Sequence, residues 1–160
     1  MLAAGSFRLA AEEFTAALEV ATESEQLRLW RAECALRVRD YGGVRADTAA
    51  VLGRINPLST GALLLMGQAL VRIVGQVEAG LHNLELCLQW AFGHEPCTVA
   101  VRSARAVRRH WGQLREALGK EDWPRVVSAA EDLLQADAEA DFFVVRARRA
   151  HCRAHRALGE

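Results

Sequence analysis

The chain has 160 residues, and twenty basic residues balance twenty acidic ones, so its formal net charge is zero. A neutral chain has no strong field, which argues against a nucleic acid or an acidic membrane surface as its partner. The longest apolar segment, residues 62–74, contains Gln68 and Arg72 and is shorter than the about 20 residues that cross a bilayer, so we expect a soluble chain with no membrane span.

Alanine, leucine, arginine and glutamate dominate the composition, and this mixture favours helix. The apolar periodicity, together with boundaries at Pro57, Pro96 and Pro124, predicts an all-α chain of eight helices. In chain order the predicted helices cover residues 6–22, 24–39, 43–54, 60–74, 77–91, 96–118, 123–136 and 139–158. The sixth is the longest, at about 35 Å, because each helical residue rises 1.5 Å.

An aromatic or large apolar residue recurs shortly before four of the amphipathic runs. The four residues are Phe7, Tyr41, Val77 and Trp123, separated by 34, 36 and 46 positions. The tetratricopeptide repeat, a helical hairpin, has a period of 34 residues. The lengthened sixth helix absorbs the extra residues of the last interval. We therefore predict a right-handed α-solenoid of tetratricopeptide (TPR) helical hairpins.

Small or apolar residues keep a fixed register within the repeats, where two helices must approach closely. They follow the recurring residue by 3, 7 and 10 positions, as in Ala10, Phe14 and Ala17; Val44, Thr48 and Val51; and Gly80, Leu84 and Cys87. The predicted organisation is repeats in 1–95, the first of them partial, a connecting helix in 96–119, and repeat sequence in 120–160 that ends incomplete. Because the first and last units each have one helix, we expect a segment of a longer protein.

The predicted helix over residues 62–74 is apolar on nearly all sides. Such a helix is either sandwiched between others or presents one face to a ligand. The first helices of these hairpins line a concave groove, so we predict a client-binding face on this helix, while its simple role as the central helix of the stack stays open. The candidate client-binding residues are Ala62, Leu65, Met66, Ala69 and Ile73.

Metal and catalytic motifs are not evident in the sequence. The cysteines have no CxxC spacing, and no phosphate-binding glycine loop or nucleophile elbow occurs. His151 and His155 lie one turn apart, but the same helix is rich in arginine and no carboxylate is placed to complete a metal shell, so a solvated basic face is favoured over a zinc site. We expect no enzyme activity, no cofactor and no metal.

A run of arginines in the sixth helix could bind phosphates, but net neutrality disfavours a nucleic-acid partner. Pairing with acids of neighbouring repeats is the ordinary explanation of these charges.

Cys87 and Cys97 lie ten positions apart with Gly93 and Pro96 in the turn between them. They could form a bridge or remain two buried thiols, and the residues alone leave both alternatives open.

Four segments, in this order and spacing, resemble one known family. They are LWRAECAL (29–36), GQVEAGLHNLELCLQWAFGHEPC (75–97), RSARAVRRHWGQLREALGKEDWPRVV (102–127) and VVRARRAHC (144–152). The family is that of the endoplasmic-reticulum co-chaperones with TPR repeats and a C-terminal J domain, the protein kinase inhibitor type of DnaJ protein. The resemblance covers nearly the whole chain and includes the lengthened sixth helix.

This resemblance implies a function and a compartment. The repeats would hold unfolded or extended polypeptides, and the J domain would stimulate a DnaK-type ATPase chaperone in the endoplasmic-reticulum lumen. A protein kinase is a further implied partner, and the cytoplasm is the alternative location. The chain has no His-Pro-Asp motif, so we expect the J domain to lie outside it, and residues 1–11 do not form a secretory signal.

The resemblance also implies the state of the cysteines. The family closes a disulfide at the spacing of Cys87 and Cys97, which implies a bond between these two residues. Cys152 matches a family cysteine whose partner would lie downstream of residue 160, so a free thiol is expected here. Cys34 is expected to be a packing residue.

Two other classes of function compete: a scaffold module that binds one defined partner through a polar surface, and a basic nucleic-acid adaptor with salt-dependent affinity.

Overall fold

The computed structural model describes residues 4–159, and every regular element in this range is helical. The all-α prediction is confirmed, and each predicted helix is present, with ends within two residues of those expected once the π-helical continuations of the third and fourth helices are counted. The helices are α1 (Ala4–Val20), α2 (Glu25–Arg37), α3 (Tyr41–Ala50), α4 (Thr60–Ala69), α5 (Val77–Trp90), α6 (Glu95–Gly119), α7 (Trp123–Ala136) and α8 (Asp141–Leu158).

Two helices end in π-helical turns that the periodicity did not predict. Helix α3 continues into Val51–Ile55, and α4 continues into Leu70–Val74. The second of these turns stops at Gly75, whose φ of 79° is left-handed, a conformation that glycine adopts without a Cβ clash. This lets the Gln76 N–H donate to the Leu70 carbonyl oxygen at 2.9 Å.

Helix starts are fixed by local hydrogen bonds. The side chains of Ser24, Asp40, Ser59 and Asp122 each accept a hydrogen bond from the backbone N–H three positions later. Such caps satisfy N–H groups that have no partner inside the helix. Pro96 and Pro124 lie in first turns, where the missing proline N–H breaks no helical hydrogen bond.

Consecutive helices pack against each other as pairs along the whole described chain. Helices α2, α4, α6 and α8 also contact one another in sequence, α2 with α4, α4 with α6 and α6 with α8. We call these four helices the inner layer. The π-helical end of α4 reaches past α6 and contacts α8 as well, so the row curves toward itself on this side.

The predicted register of buried positions is confirmed in α3 and α5. Val44, Thr48 and Val51 are buried, and so are Gly80, Leu84 and Cys87. Helices α4 and α5 approach most closely at two glycines: a Cβ added to Gly67 would lie 3.0 Å from the Gly80 carbonyl oxygen, and one added to Gly80 would lie 2.8 Å from the Gly67 carbonyl oxygen. The in-register residues of α1, by contrast, are only partly buried.

The largest buried cluster extends from the π-helical end of α4 to α8 and includes Phe143, whose ring lies 5.4 Å from that of Trp111 between centroids. A smaller cluster joins α2, α3 and α4, and a third surrounds Cys87 and Cys97. None of the helices in residues 4–159 combines the length and the apolar character that a membrane span requires.

Candidate functional site

Helix α4 lies between α2 and α6 in the inner layer, and its five candidate residues differ in accessibility. Ala62 and Ala69 are 0% exposed, so both are packing residues that no client can touch in this conformation. Leu65 and Ile73 are partly buried and pack against the cluster of α2, α3 and α4. Met66 is also partly exposed. A bound polypeptide could therefore reach Leu65, Met66 and Ile73.

The end of α4 carries the single charged residue of this apolar helix, and that residue is paired. Arg72 Nε donates to Asp137 Oδ2 at 2.9 Å, and its Nη1 donates to Glu139 Oε2 at 2.6 Å. The Asp137 side chain is 8% exposed and also accepts a hydrogen bond from Ser103 Oγ at 3.1 Å. One buried carboxylate thus joins α4, α6 and the turn between α7 and α8.

Two arginines near the end of α2 extend this contact. Arg39 Nε lies 2.7 Å from Asp141 Oδ2, and Arg37 Nη1 lies 3.8 Å from Glu139 Oε1. We call the six residues the clasp: Arg37, Arg39 and Arg72 with Asp137, Glu139 and Asp141. The clasp brings the turn after α2 onto the start of α8, across the end of α4. The inner layer is therefore held together at this side of the molecule by charge as well as by packing.

A second buried carboxylate holds α2 against α3. Asp47 is 2% exposed, and Arg31 makes two hydrogen bonds to it, from Nε at 2.8 Å and from Nη2 at 2.7 Å. The hydrogen bond to Asp47 raises the pKa of Arg31 above its ordinary value. Because a two-point Arg–carboxylate pair fixes orientation, this contact is a structural tie between neighbouring helices.

Two arginines of the basic run in α6, Arg105 and Arg108, pair with acids of α5. Arg105 Nη2 lies 2.7 Å from Glu85 Oε1, and Arg108 Nη1 lies 3.3 Å from Glu78 Oε2. All four side chains are largely exposed, so each pair contributes little to stability. The pairs do neutralise part of the basic run, which reduces its attraction for a phosphate backbone.

The cysteines separate into three environments. The sulfurs of Cys87 and Cys97 are joined in a disulfide, with 6.1 Å between their Cα atoms. Cys34 is a buried free thiol, and burial raises its pKa. Cys152 is a free thiol exposed on α8. Cys87 and Cys97, together with His94, also form the group in residues 4–159 whose atoms are close enough to share a metal ion.

Sequence reasoning missed a carboxylate next to the histidines of α8. Glu131 Oε1 of α7 lies 3.4 Å from His151 Nε2, and the His155 Nε2 atom lies 3.4 Å from the same nitrogen. Glu131 comes from the preceding helix, twenty positions away, and the three residues are not among those whose ligand atoms are close enough to share a metal ion in residues 4–159. The surrounding arginines remain, and their charge disfavours a cation there.

Sequence reasoning also did not single out the most exposed aromatic residues. Trp30 is 46% exposed, Trp90 is 50% exposed, and Phe92 is fully exposed. Phe92 lies in the turn between α5 and α6. Its position beside Gly93 was the available signal, because turn residues lie at the surface. Trp90 and Phe92 thus give the end of α5 and the following turn exposed apolar side chains outside α4.

Comparison with known proteins adds no template for this site: no family model, curated protein or solved structure matches the chain. The functional argument therefore depends on the residues described above. The described residues supply a partly exposed apolar helix, a charged clasp beside it and a crosslinked turn between α5 and α6.

Proposed function

We propose that the chain is a TPR-type α-solenoid and the protein-binding segment of a luminal DnaJ-type co-chaperone. In this proposal it holds unfolded client polypeptides for a DnaK-type ATPase chaperone, which a J domain outside this chain would recruit. The observation that carries the proposal is the inner layer, whose central helix α4 keeps Leu65, Met66 and Ile73 partly accessible. The resemblance of the chain to the co-chaperone family supports the same function.

The chemistry of α4 suits a client of variable sequence. A methionine side chain is unbranched and flexible, so it adapts to different apolar partners. The accessible apolar area is small because the neighbouring residues are partly buried, and each buried Å² contributes only about 25 cal/mol. We therefore expect weak, readily reversible binding, which suits a protein that must release its client.

The disulfide supports the proposed location. Disulfides persist in oxidising compartments and are rare where thiols are kept reduced. The Cys87–Cys97 bond thus favours the endoplasmic-reticulum lumen over the cytoplasm. A protein kinase remains a further proposed partner, on the resemblance alone.

Suppression of aggregation tests the proposal. The chain should delay light scattering by a denatured model protein, and Met66→Glu should weaken this delay because a charge on α4 opposes apolar contact. Val145→Glu is the matched control, since Val145 is 48% exposed on α8 and is not one of the proposed client-binding residues. Circular dichroism checks that both variants are folded. Equal suppression of aggregation by wild type, Met66→Glu and Val145→Glu would show that clients do not bind along α4.

A third variant separates α4 from the exposed aromatic residues. Phe92→Glu places the same charge in the turn between α5 and α6 and does not disturb α4. If clients bind along α4, Phe92→Glu should suppress aggregation as well as wild type does. If Phe92→Glu lost the suppression of aggregation and Met66→Glu kept it, client holding would be assigned to the exposed aromatic residues instead.

The alternative function is a scaffold module that binds one defined partner and has no chaperone activity. The burial of Ala62 and Ala69 favours this alternative, because it reduces the apolar face available to clients. A panel of unfolded peptides discriminates the two functions. A client holder binds many apolar peptides with similar affinity, whereas a scaffold ignores the panel.

A further inference from the structure

The turn between α5 and α6 brings together three side chains that commonly bind metals. Cys87 lies near the end of α5, His94 is the N-cap residue of α6, and Cys97 lies in the first turn of α6. The His94 Nδ1 atom lies 3.0 Å from Cys97 Sγ, and the three ligand atoms all lie within 4.8 Å of one another. This arrangement contains two thiol sulfurs and one imidazole nitrogen.

Backbone geometry supports the arrangement independently of the bond between the sulfurs. The His94 side chain makes no capping hydrogen bond to the α6 backbone, and its Nδ1 atom lies against Cys97 Sγ in the first turn instead. Pro96 fixes the backbone of that turn. Gly93, with φ of 77°, reverses the chain so that the end of α5 meets the start of α6. Reduction of the disulfide would therefore leave the three side chains close together.

The surroundings suit a zinc ion that keeps one open position. Both cysteines are 0% exposed and belong to a cluster with Leu63, so the sulfur side of the site is dry. His94 is exposed, so the opposite side meets solvent. Thiolate sulfur and imidazole nitrogen are the ligands that Zn²⁺ prefers, usually in tetrahedral geometry.

We propose that the reduced chain binds one Zn²⁺ ion through Cys87 Sγ, His94 Nδ1 and Cys97 Sγ, with water as the fourth ligand. A dithiol reductant first supplies two electrons and two protons to the disulfide and is itself oxidised to a disulfide. Zn²⁺ then displaces the two thiol protons and forms two Zn–S bonds of about 2.3 Å. The metal and the disulfide exclude each other, and either one crosslinks the turn between α5 and α6.

Cobalt is the spectroscopic probe for this site. The chain is reduced with a phosphine, freed of reductant without oxygen, and titrated with Co²⁺. We expect one equivalent to give the intense visible bands of a tetrahedral site, with sulfur-to-cobalt charge transfer in the near ultraviolet, and one equivalent of Zn²⁺ to abolish both. The oxidised chain should give neither signal.

Variants identify the ligands. His94→Ala should weaken Co²⁺ binding at least tenfold, and Cys87→Ser should remove most of the charge-transfer band. Cys152→Ser and His151→Ala are matched controls at the free thiol and the histidines of α8, and both should leave the spectrum unchanged. Circular dichroism confirms that each variant is folded.

Protection of thiols gives a second measurement that does not require a folded Cys87→Ser variant. Zn²⁺ should slow alkylation of Cys87 and Cys97 in the reduced wild-type chain, as located by mass spectrometry. The absence of a tetrahedral cobalt spectrum in the reduced wild type would overturn the proposal. So would full-strength binding in His94→Ala, or protection confined to Cys152. The proposal is independent of client holding.

Discussion

The close approach of α4 and α5 gives the sharpest test of the helical packing. Gly80 is buried against α4, and a Cβ built there would lie 2.5 Å from Val71 Cγ2 and 2.8 Å from the carbonyl oxygen of Gly67. The valine side chain can adjust, but the carbonyl belongs to the helix backbone and cannot turn aside. Gly80→Ala must therefore push the two helices apart.

Two opposing effects set the size of the change. Alanine in a helix interior is more favourable than glycine by about 1 kcal/mol. Overpacking of a filled core destabilises by about 1–3 kcal/mol, and the backbone contact places Gly80→Ala at the upper end of this range. We expect the free energy of unfolding to fall by about 2 kcal/mol, the difference between these terms.

A matched control isolates the packing term. Gly112 lies inside α6, is exposed, and has no atom within 4 Å of a Cβ built on it. Gly112→Ala should therefore raise the free energy of unfolding by about 1 kcal/mol, which is the helix-propensity term alone. The two substitutions are chemically identical, so their opposite signs would measure the contact between α4 and α5.

Urea denaturation followed by circular dichroism at the helical band is a suitable assay. With a slope of about 2 kcal/mol per molar urea, the Gly80→Ala midpoint should lie about 1 M below that of wild type. The Gly112→Ala midpoint should lie about 0.5 M above it, on the same slope. A Gly80→Ala variant as stable as wild type would refute the packing of α4 against α5 described here.

Three further predictions follow from the clasp, a strained turn and the free thiols. Arg72→Met should lower the free energy of unfolding, measured in urea, by about 2 kcal/mol, because it leaves a buried carboxylate unpaired. Arg105→Met, at an exposed pair, should change the free energy of unfolding by less than about 0.5 kcal/mol. Equal effects of the two substitutions would contradict the burial argument. Glu121 has a φ of 53°, so Glu121→Gly should raise the thermal midpoint, with a gain of about 0.5–1 kcal/mol, and a lower midpoint would argue against this turn geometry. A disulfide-exchange reagent should label exposed Cys152 rapidly and Cys34 slowly, because burial raises the pKa of Cys34 and only the thiolate reacts; Cys152→Ser should remove the fast phase, and a remaining fast phase would contradict the burial of Cys34.

Local features of the fold could be predicted from the sequence. Helix positions followed from apolar periodicity and prolines, both of which act within a few residues. The register at Val44, Thr48 and Val51 was predicted for the same reason, since these positions recur on one helix face. The π-helical ends of α3 and α4 were not predicted, because they depend on how each helix stops.

Long-range features could not be predicted. Arg72 and Asp137 are 65 positions apart, and no sequence period relates them, so the clasp required the curvature of the whole row. The exposure of individual α4 side chains could not be predicted either. Spacing placed Ala62, Met66 and Ala69 on an apolar helix, but only packing against the neighbouring helices decides which of them are covered. The state of Cys87 and Cys97 was left open by spacing and implied by the resemblance.

The clasp has a consequence for how the molecule comes apart. In a row of hairpins each unit contacts mainly its neighbours, so unfolding can begin at one end and proceed unit by unit. Arg39 and Asp141, however, are 102 positions apart and in direct contact. Departure of α8 from the row must break this pair together with the pair between Arg72 and the buried Asp137. Loss of α8 is thereby coupled to α4 and the turn after α2, so we expect these segments to separate together under heat or mechanical load.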